Sequence, residues 1–323
     1  QYALEVATDA DSDYAPDLDP TEADARQLRA LAERVERLAA PTEPGTVRHI
    51  AWRDGSPVAK VTRFDVGELL AWLPVHFHTV VYTSATLATG PGDFHYFQAR
   101  NGISRARTLC VPSPFDYQAQ CLLYVPMEHG MPDPRRHRER FDHSVRRQMW
   151  MLVQAAGGGA LLLFTSHAAM RAAAELLSAH LSYPVRRQGE APRPALIDWL
   201  KGTSGAVLCA TASFWEGVDV PGEALRLVAI DKLPFEAPGP VERARQEALG
   251  RRAFWELVVP EATLKLKQGF GRLIRTQTDR GVVAILDPRL WTERYGRGIV
   301  EALPDARVVI RIEDVQAFYG ARE

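Results

Sequence analysis

The chain has 323 residues, 46% of them hydrophobic, with a formal net charge of −1 at neutral pH. That length suggests about two domains with room for a sizeable core. The charge balance excludes a uniformly basic surface, so a nucleic-acid partner would have to meet a local basic patch. Cys110, Cys121 and Cys209 have no metal-clip spacing, and their odd number argues against a disulfide framework. With so few cysteines a reducing cytoplasm fits best. No apolar run is long enough to cross a membrane and none reads as a signal peptide. The chain opens at Gln1 within polar sequence and reads as a piece of something longer.

In chain order, residues 1–20 are acidic and poor in bulky groups. Asp9, Asp11 and Asp13 alternate like the start of a calcium loop but lack its glycine and distal glutamate, so a solvated edge is expected. From Thr21 to about Ala40, Leu28, Leu31, Val35 and Leu38 recur at helical spacing, and Pro41 ends the run. TVRHIAW and VAKVTRF around DGSP read as a hairpin. A short helix is expected at 66–73, then TVVYTSATL as a buried apolar strand entering a small polar turn. From Cys121 onward strands and helices alternate: CLLYV, a long helix through RFDHSVRRQMWMLVQAA, GGGALLLFTS, the helix HAAMRAAAELLSAHL, GAVLCATASF, LRLVAI, two helical stretches, GVVAILD, a helix, and ARVVIRI. Strands separated by helices imply an α/β fold with a doubly wound parallel sheet. Ligands then sit at the carboxyl ends of strands.

The strand ends carry small polar residues. Thr83, Ser84, Ala85 and Thr86 follow the apolar run at 79–82; such clusters reach a ligand or close a turn. Thr165 and Ser166 stand where a strand hands over to a helix, as an ordinary N-cap or as a phosphate contact. After the next strand come Ser213, Phe214 and Trp215, then Glu216 and Asp219 flanking Gly217, then the turn Pro221-Gly222. No third ligand lies nearby in sequence, so the two carboxylates read as positioning groups rather than a metal site.

The segment LKQGFGRLIR is the most informative. In a helix starting near Pro260, Gln268, Arg272 and Arg275 are four and three apart and would share a face. Gly269 and Gly271 are poor helix formers that permit close approach of another backbone. Arginine grips phosphate oxygens with a planar fork of donors and stabilises charge on a transferring phosphoryl group. The phosphate-cradling pattern G-x-x-x-x-G-K-[ST] is absent: neither Lys60, Lys201, Lys232, Lys265 nor Lys267 has that frame. The chain has arginines for a nucleotide but no cradle for one.

Taken together, TSATL at 83–87, SPFDY at 113–117, SFWEGVDVPGEAL at 213–225, DKLPF at 231–235 and QGFGRLIR at 268–275 resemble motifs III to VI of superfamily 2 helicases, most closely the bacterial DinG/YoaA group related to XPD. The resemblance covers roughly residue 65 to the end. It implies a RecA-like α/β fold: an acidic tail, helix and hairpin at 1–64 as an arch or lobe 1 remnant, the end of lobe 1 at 65–105, and lobe 2 at 106–323. The family has two lobes with ATP between them, an iron–sulfur domain and an arch inserted in lobe 1, and single-stranded DNA crossing both. The phosphate loop, the four cluster cysteines of a 4Fe-4S centre and the Mg2+-binding carboxylates would belong to the first half, so no metal site is expected here.

Carried over position by position, the resemblance makes Arg272 and Arg275 arginine fingers and Gln268 a γ-phosphate sensor. Glu216, Gly217, Asp219 and Gly271 would line the nucleotide, and Thr83, Ser84, Ala85 and Thr86 would couple hydrolysis to DNA. Thr165, Ser166 and Ser213 would hold DNA phosphates, while Phe214 and Trp215 contact bases or simply pack. Relatives often have glycine where Ala210 stands. The implied activity is ATP-dependent 5′ to 3′ travel on single-stranded DNA in repair or replication stress, with this portion inactive alone. The implied partners are the N-terminal half of the same protein and accessory repair or replication proteins, with no membrane. A stand-alone nucleic-acid-binding or docking module derived from a helicase lobe is the competing reading.

Overall fold

A computed structural model describes residues 3–5, 26, 29–30, 32–33, 35–36, 38–40, 43–53, 56–70, 72–127, 131–211, 214–215, 220, 222–235 and 237–320. The Asp9–Asp13 alternation lies outside them. The chain packs as two compact units, Gln1–Tyr82 with Phe97–Ala106 and Ala237–Leu257, and Thr83–Tyr96 with Arg107–Glu236 and Val258–Glu323.

In the first unit, the described positions from Arg26 to Ala39 are helical, as the leucine spacing expects. Strands β1 (Ala3–Glu5), β2 (Thr46–Arg53) and β3 (Ser56–Arg63) form an antiparallel sheet in the order β1-β3-β2. The hairpin pairs Thr46 with Arg63 through to Arg53 with Ser56. Ala3–Glu5 pairs along the other edge of β3, where a wholly solvated tail was expected. An open strand edge offers backbone hydrogen bonds to any extended segment, whatever its charge. The expected helix at 66–73 is two short turns, Gly67–Leu70 and Leu73–His76. The expected strand at 79–82 does not form: Val81 is 79% exposed and no described strand pairs with the segment. Apolar side chains make a strand only where a neighbour takes up its N–H and C=O groups.

The second unit carries seven parallel strands: β4 (Cys121–Tyr124), β5 (Ala160–Leu163), β6 (Val185–Arg187), β7 (Val207–Ala210), β8 (Leu227–Ile230), β9 (Gly281–Ile285) and β10 (Arg307–Val309). Their order is β10-β4-β9-β8-β5-β7-β6, and each neighbouring pair runs parallel. Such strands are buried on both faces, so they read as unbroken apolar runs. Alternation along each strand still divides them. Leu123, Leu161, Leu163, Leu208, Val228, Ile230, Val283 and Ile285 join one core, and Leu122, Leu162, Val207, Leu227, Val282 and Ala284 the other.

Helices cover both faces. Helices α1 (Arg138–Ala156), α2 (His167–His180) and α6 (Ile312–Gly320) pack Met149, Leu177 and Phe318 into one core. Helices α3 (Arg193–Gly202), α4 (Val259–Phe270) and α5 (Arg294–Ala302) pack Leu196, Leu266 and Ile299 into the other. This is an α/β RecA-like sheet. Strand β6 and helices α3 and α6 are additional to the elements expected from the alternation. Between α1 and β5, Gly157 caps the helix in the left-handed region (φ 70°). Gly158 (φ 80°) lies so close to the Gly205 backbone that a Cβ would collide with it.

Candidate functional site

At the carboxyl ends of the strands, side chains at one strand end hold the loop at the next. Asp231, just past β8, is 3% exposed. It accepts the Thr165 N–H at Oδ1 (3.0 Å), the Thr165 hydroxyl at Oδ2 (3.2 Å) and the Lys232 N–H at Oδ1 (2.7 Å). Burial pushes the Asp231 carboxyl up to about 7, against the opposing pull of Lys232 and these hydrogen bonds. Ser166 is the N-cap of α2, its hydroxyl accepting the Ala169 N–H at 3.3 Å. Thr165 and Ser166 are both partly exposed. Beyond β9, the fully buried Asp287 accepts the Leu233 N–H at 2.8 Å and both Nε and Nη2 of Arg289. Beyond β6, Gln188 Oε1 accepts the N–H (2.8 Å) and hydroxyl (2.9 Å) of Thr211.

The arginine segment is built at the opposite end of the strands. Helix α4 ends at Phe270. Arg272 lies in the turn that follows, its N–H reaching the Gly269 carbonyl and its Nε the Gln268 carbonyl at 3.0 Å. Arg275 comes after that turn, so the three residues do not share one helix face as their spacing suggested. Two glycines in the last turn and beyond weaken helix continuation, and a carboxylate draws the next backbone groups elsewhere. Asp279 Oδ2 accepts the N–H of Arg275 (2.7 Å) and of Thr276 (2.8 Å). Its Oδ1 accepts the Thr276 hydroxyl (2.8 Å) and the Gly222 N–H (3.2 Å). Burial alone would raise the Asp279 pKa, but the hydrogen bonds from Thr276, Arg275 and Gly222 hold it below the ordinary value. From the start of β4, Gln120 Nε2 donates to the carbonyls of Thr276 (2.9 Å) and Asp279 (2.8 Å).

Gln268, Arg272 and Arg275 are partly exposed. The Tyr117 ring stacks edge-on against Phe270 at 5.7 Å. Burial raises the Tyr117 hydroxyl pKa, opposed by a hydrogen bond with Ser113 and by the charge of Arg275. SPFDY therefore meets the arginine segment. A Cβ on Gly269 would touch the Trp215 ring at 3.4 Å, so that glycine admits a side chain rather than a backbone. Gly271 has φ −66°, a conformation open to any residue.

Thr83, Ser84 and Ala85 are exposed and Thr86 partly so; the Ser84 hydroxyl accepts the Thr86 N–H at 3.2 Å. From the stretch that follows, the Ala88 carbonyl accepts Lys267 Nζ at 2.7 Å. Phe214 and Trp215 are 1% and 4% exposed and pack in the core, leaving no open ring face. Ser213, Glu216, Gly217 and Asp219 lie outside the described residues.

Because β5 and β9 are parallel through β8, Thr165–Ser166 after β5 and Arg275–Asp279 before β9 stand at opposite ends of the strands. The described candidate residues there fall into two groups. Residue type and spacing do not single out Asp279, Asp287, Gln120 or Gln188, and mark Asp231 only as the first residue of DKLPF. For Gln120, Asp231 and Asp287 the detectable signal is a polar residue directly abutting an apolar run; Gln188, after Val185-Arg186-Arg187, and Asp279, before Arg280, carry none.

Among the described residues no three His, Cys, Asp or Glu side chains stand together to hold a metal. Cys121 and Cys209 are buried, with thiols pushed up to about 12 by that burial, and Cys110 is exposed. These thiols do not fit an iron–sulfur centre. No described helix is long and apolar enough to cross a membrane.

Residues 149–306 match the helicase C-terminal domain family. The chain is 39% identical over 284 residues to the ATP-dependent DNA helicase YoaA of Escherichia coli (strain K12), covering 84% of this chain and 43% of that protein. It is 40% identical over 254 residues to the ATP-dependent helicase DinG of Mycobacterium tuberculosis (strain H37Rv), covering 76% of this chain and 38% of that one. The chain thus spans less than half the length of these relatives. Two solved structures, an XPD helicase and an apo XPD, share its fold with TM-scores of 0.57 and 0.59, at 14% and 15% identity. Each covers 96% of this chain, which in turn covers 58% and 65% of theirs.

Proposed function

This chain belongs to the DinG/YoaA group of helicases, which share the XPD fold, and on that premise we propose that it forms the C-terminal motor portion of an ATP-dependent DNA helicase. The observation that carries the reading is the arginine segment. Arg272 and Arg275 are partly exposed, and the backbone beneath Arg275 is clamped by Asp279 and Gln120. A guanidinium that must meet developing charge on a phosphoryl group works best when its support is already organised.

In this proposal ATP and Mg2+ are held mainly by the N-terminal half of the same protein, with Arg272 and Arg275 reaching the γ-phosphate and Gln268 sensing it. Glu216, Gly217, Asp219 and Gly271 line the nucleotide, and Thr83, Ser84, Ala85 and Thr86 couple it to DNA. Thr165, Ser166 and Ser213 hold phosphates of a single strand at the other end of the strands. The helix N-terminus beside Thr165 and Ser166 supplies N–H groups and partial positive charge, largely blind to sequence. Travel is 5′ to 3′, in repair or replication stress, in a reducing cytoplasm. Residues 1–64 belong to an arch or lobe 1 remnant, 65–105 to the end of lobe 1 and 106–323 to lobe 2. A 4Fe-4S centre belongs to the N-terminal half.

Arg272→Ala in the intact protein should abolish ATP hydrolysis while leaving folding and DNA binding largely intact. Undiminished hydrolysis in that variant rejects the role. These 323 residues alone should show no DNA-stimulated hydrolysis.

A second reading, a non-catalytic nucleic-acid or docking module, draws support from one relative. A Bacillus subtilis (strain 168) protein 35% identical over 262 residues is named a 3′-5′ exonuclease DinG, so a related lobe serves in a protein named for another activity. An intact protein that binds single-stranded DNA without hydrolysing ATP would favour this module.

A further inference from the structure

The chain is close to neutral overall, yet the strand-end groups proposed to hold DNA are uncharged hydroxyls. A polyanion gripped there needs basic residues nearby. The strongest local run is PRRHRERFDHSVRR, from Pro134 to Arg147, entering α1.

Within it, Arg136, Arg140, His143 and Arg147 recur at intervals of four, three and four, which places them on one side of the helix and the turn before it. All four are exposed, while Phe141, Val145 and Met149 on the opposite side are buried.

An ordinary solvated helix face does not account for this stripe. Such faces are laced with opposite charges three or four residues apart. The positions three and four away from Arg140 are Arg136, His137, His143 and Ser144. Those around Arg147 are His143, Ser144, Trp150 and Met151. None is acidic. Among the described residues no ion pair engages Arg136, Arg140 or Arg147, whereas neighbouring Arg138 does meet Asp142 at 3.9 Å. Helix stabilisation does not account for it either. Arg140 lies in the first turn of α1, where the partial positive charge of the helix end opposes a cation.

Position supplies the second argument. Helix α1 follows β4 and α2 follows β5, so in a parallel sheet both helices begin at the carboxyl ends of the strands. They also pack into the same core. Strands β4 and β5 are three places apart in the sheet, roughly 14 Å at normal spacing. Arg140 to Arg147 adds about 10 Å along the helix.

We propose that the Arg136–Arg140–Arg147 stripe of α1 is a second, sequence-independent contact surface for the phosphate backbone of single-stranded DNA, extending the strand-end site at Thr165 and Ser166. This rests on the DNA-binding reading above.

The test uses the intact protein, with a short oligonucleotide that fills only the strand-end site and one several times longer. Arg136→Ala/Arg140→Ala/Arg147→Ala should reduce the slope of log affinity against log salt for the long strand by about 2. The weakening should be equal for homopolymers of different base, with short-strand affinity unchanged. These positions are on the surface, and an unaltered unfolding midpoint would confirm an intact fold; Arg147→Glu alone should already act in the same direction. An unchanged slope overturns the proposal, as does equal weakening of short and long strands. Loss of a protein partner with DNA binding intact would reassign the stripe to protein docking and overturn it too. Thr165→Ala/Ser166→Ala separates the premise: if that variant binds both strands like wild type, the strand-end reading itself falls and takes this inference with it.

Discussion

Asp231, one residue past the end of β8, holds Thr165, two residues past the end of β5, by both its backbone N–H and its hydroxyl. Two adjacent parallel strands are thereby tied at their carboxyl ends by a carboxylate that is almost wholly out of water. Such a group is costly to ionise in place, which gives the protein a measurable pH signature.

The carboxyl of Asp231 is raised by burial from 3.8 to about 7. Between those values the unfolded chain has released the proton that the folded one still holds. Stability from this group is therefore greatest below about pH 4 and declines as pH rises to about 7. Asp231→Asn keeps an acceptor for the two N–H groups without the charge. Its stability relative to wild type should rise between pH 5 and pH 8, read from denaturant midpoints. A constant difference across that range would contradict the assignment.

Asp279 behaves in the opposite sense. Its hydrogen bonds outweigh burial and depress its pKa below 3.8, so its contribution is present above that value and lost as pH falls further. Asp279→Ala strips acceptors from the N–H groups of Arg275 and Thr276 and should cost on the order of 2 kcal/mol. On the proposed function it should also slow ATP hydrolysis by the intact protein with little change in DNA affinity. Equal loss of both would assign Asp279 to general stability alone.

Two glycines near the arginine segment should differ sharply. A Cβ on Gly281 would collide with the backbone carbonyl of Arg226, at the pairing of β9 with β8. A Cβ on Gly271 would meet nothing nearer than 3.4 Å. Gly281→Ala should destabilise by more than about 3 kcal/mol, whereas Gly271→Ala should be neutral or stabilising by up to about 1 kcal/mol. Thermal unfolding of the two variants decides it.

Trp215 fills space between α4 and the sheet, against Gly269. Trp215→Ala should cost roughly 3–5 kcal/mol through cavity formation. A variant with weakened DNA binding and undiminished stability would show that the ring works at a surface instead.

The alternation of strand and helix, and hence the parallel sheet, was legible in the residues alone. Strands buried on both faces must be short apolar runs, and β4, β5, β7, β8 and β9 are such runs. Strand β6 escaped because three residues, Val185, Arg186 and Arg187, carry no such signal. The stretch at 79–82 carried the signal and formed no strand, because pairing requires a neighbour as well as a pattern. At the site, residue type and spacing singled out Gln268, Arg272, Arg275, Thr165 and Ser166. Parallel strands put those hydroxyls, after β5, and Arg275, before β9, at opposite ends of the strands. What residue type and spacing could not reveal is that Gln120 holds the loop at Asp279, 159 residues away. Local order follows from what each short segment can bury. Pairings between distant loops follow only from strand order, because that order alone decides which chain ends stand side by side.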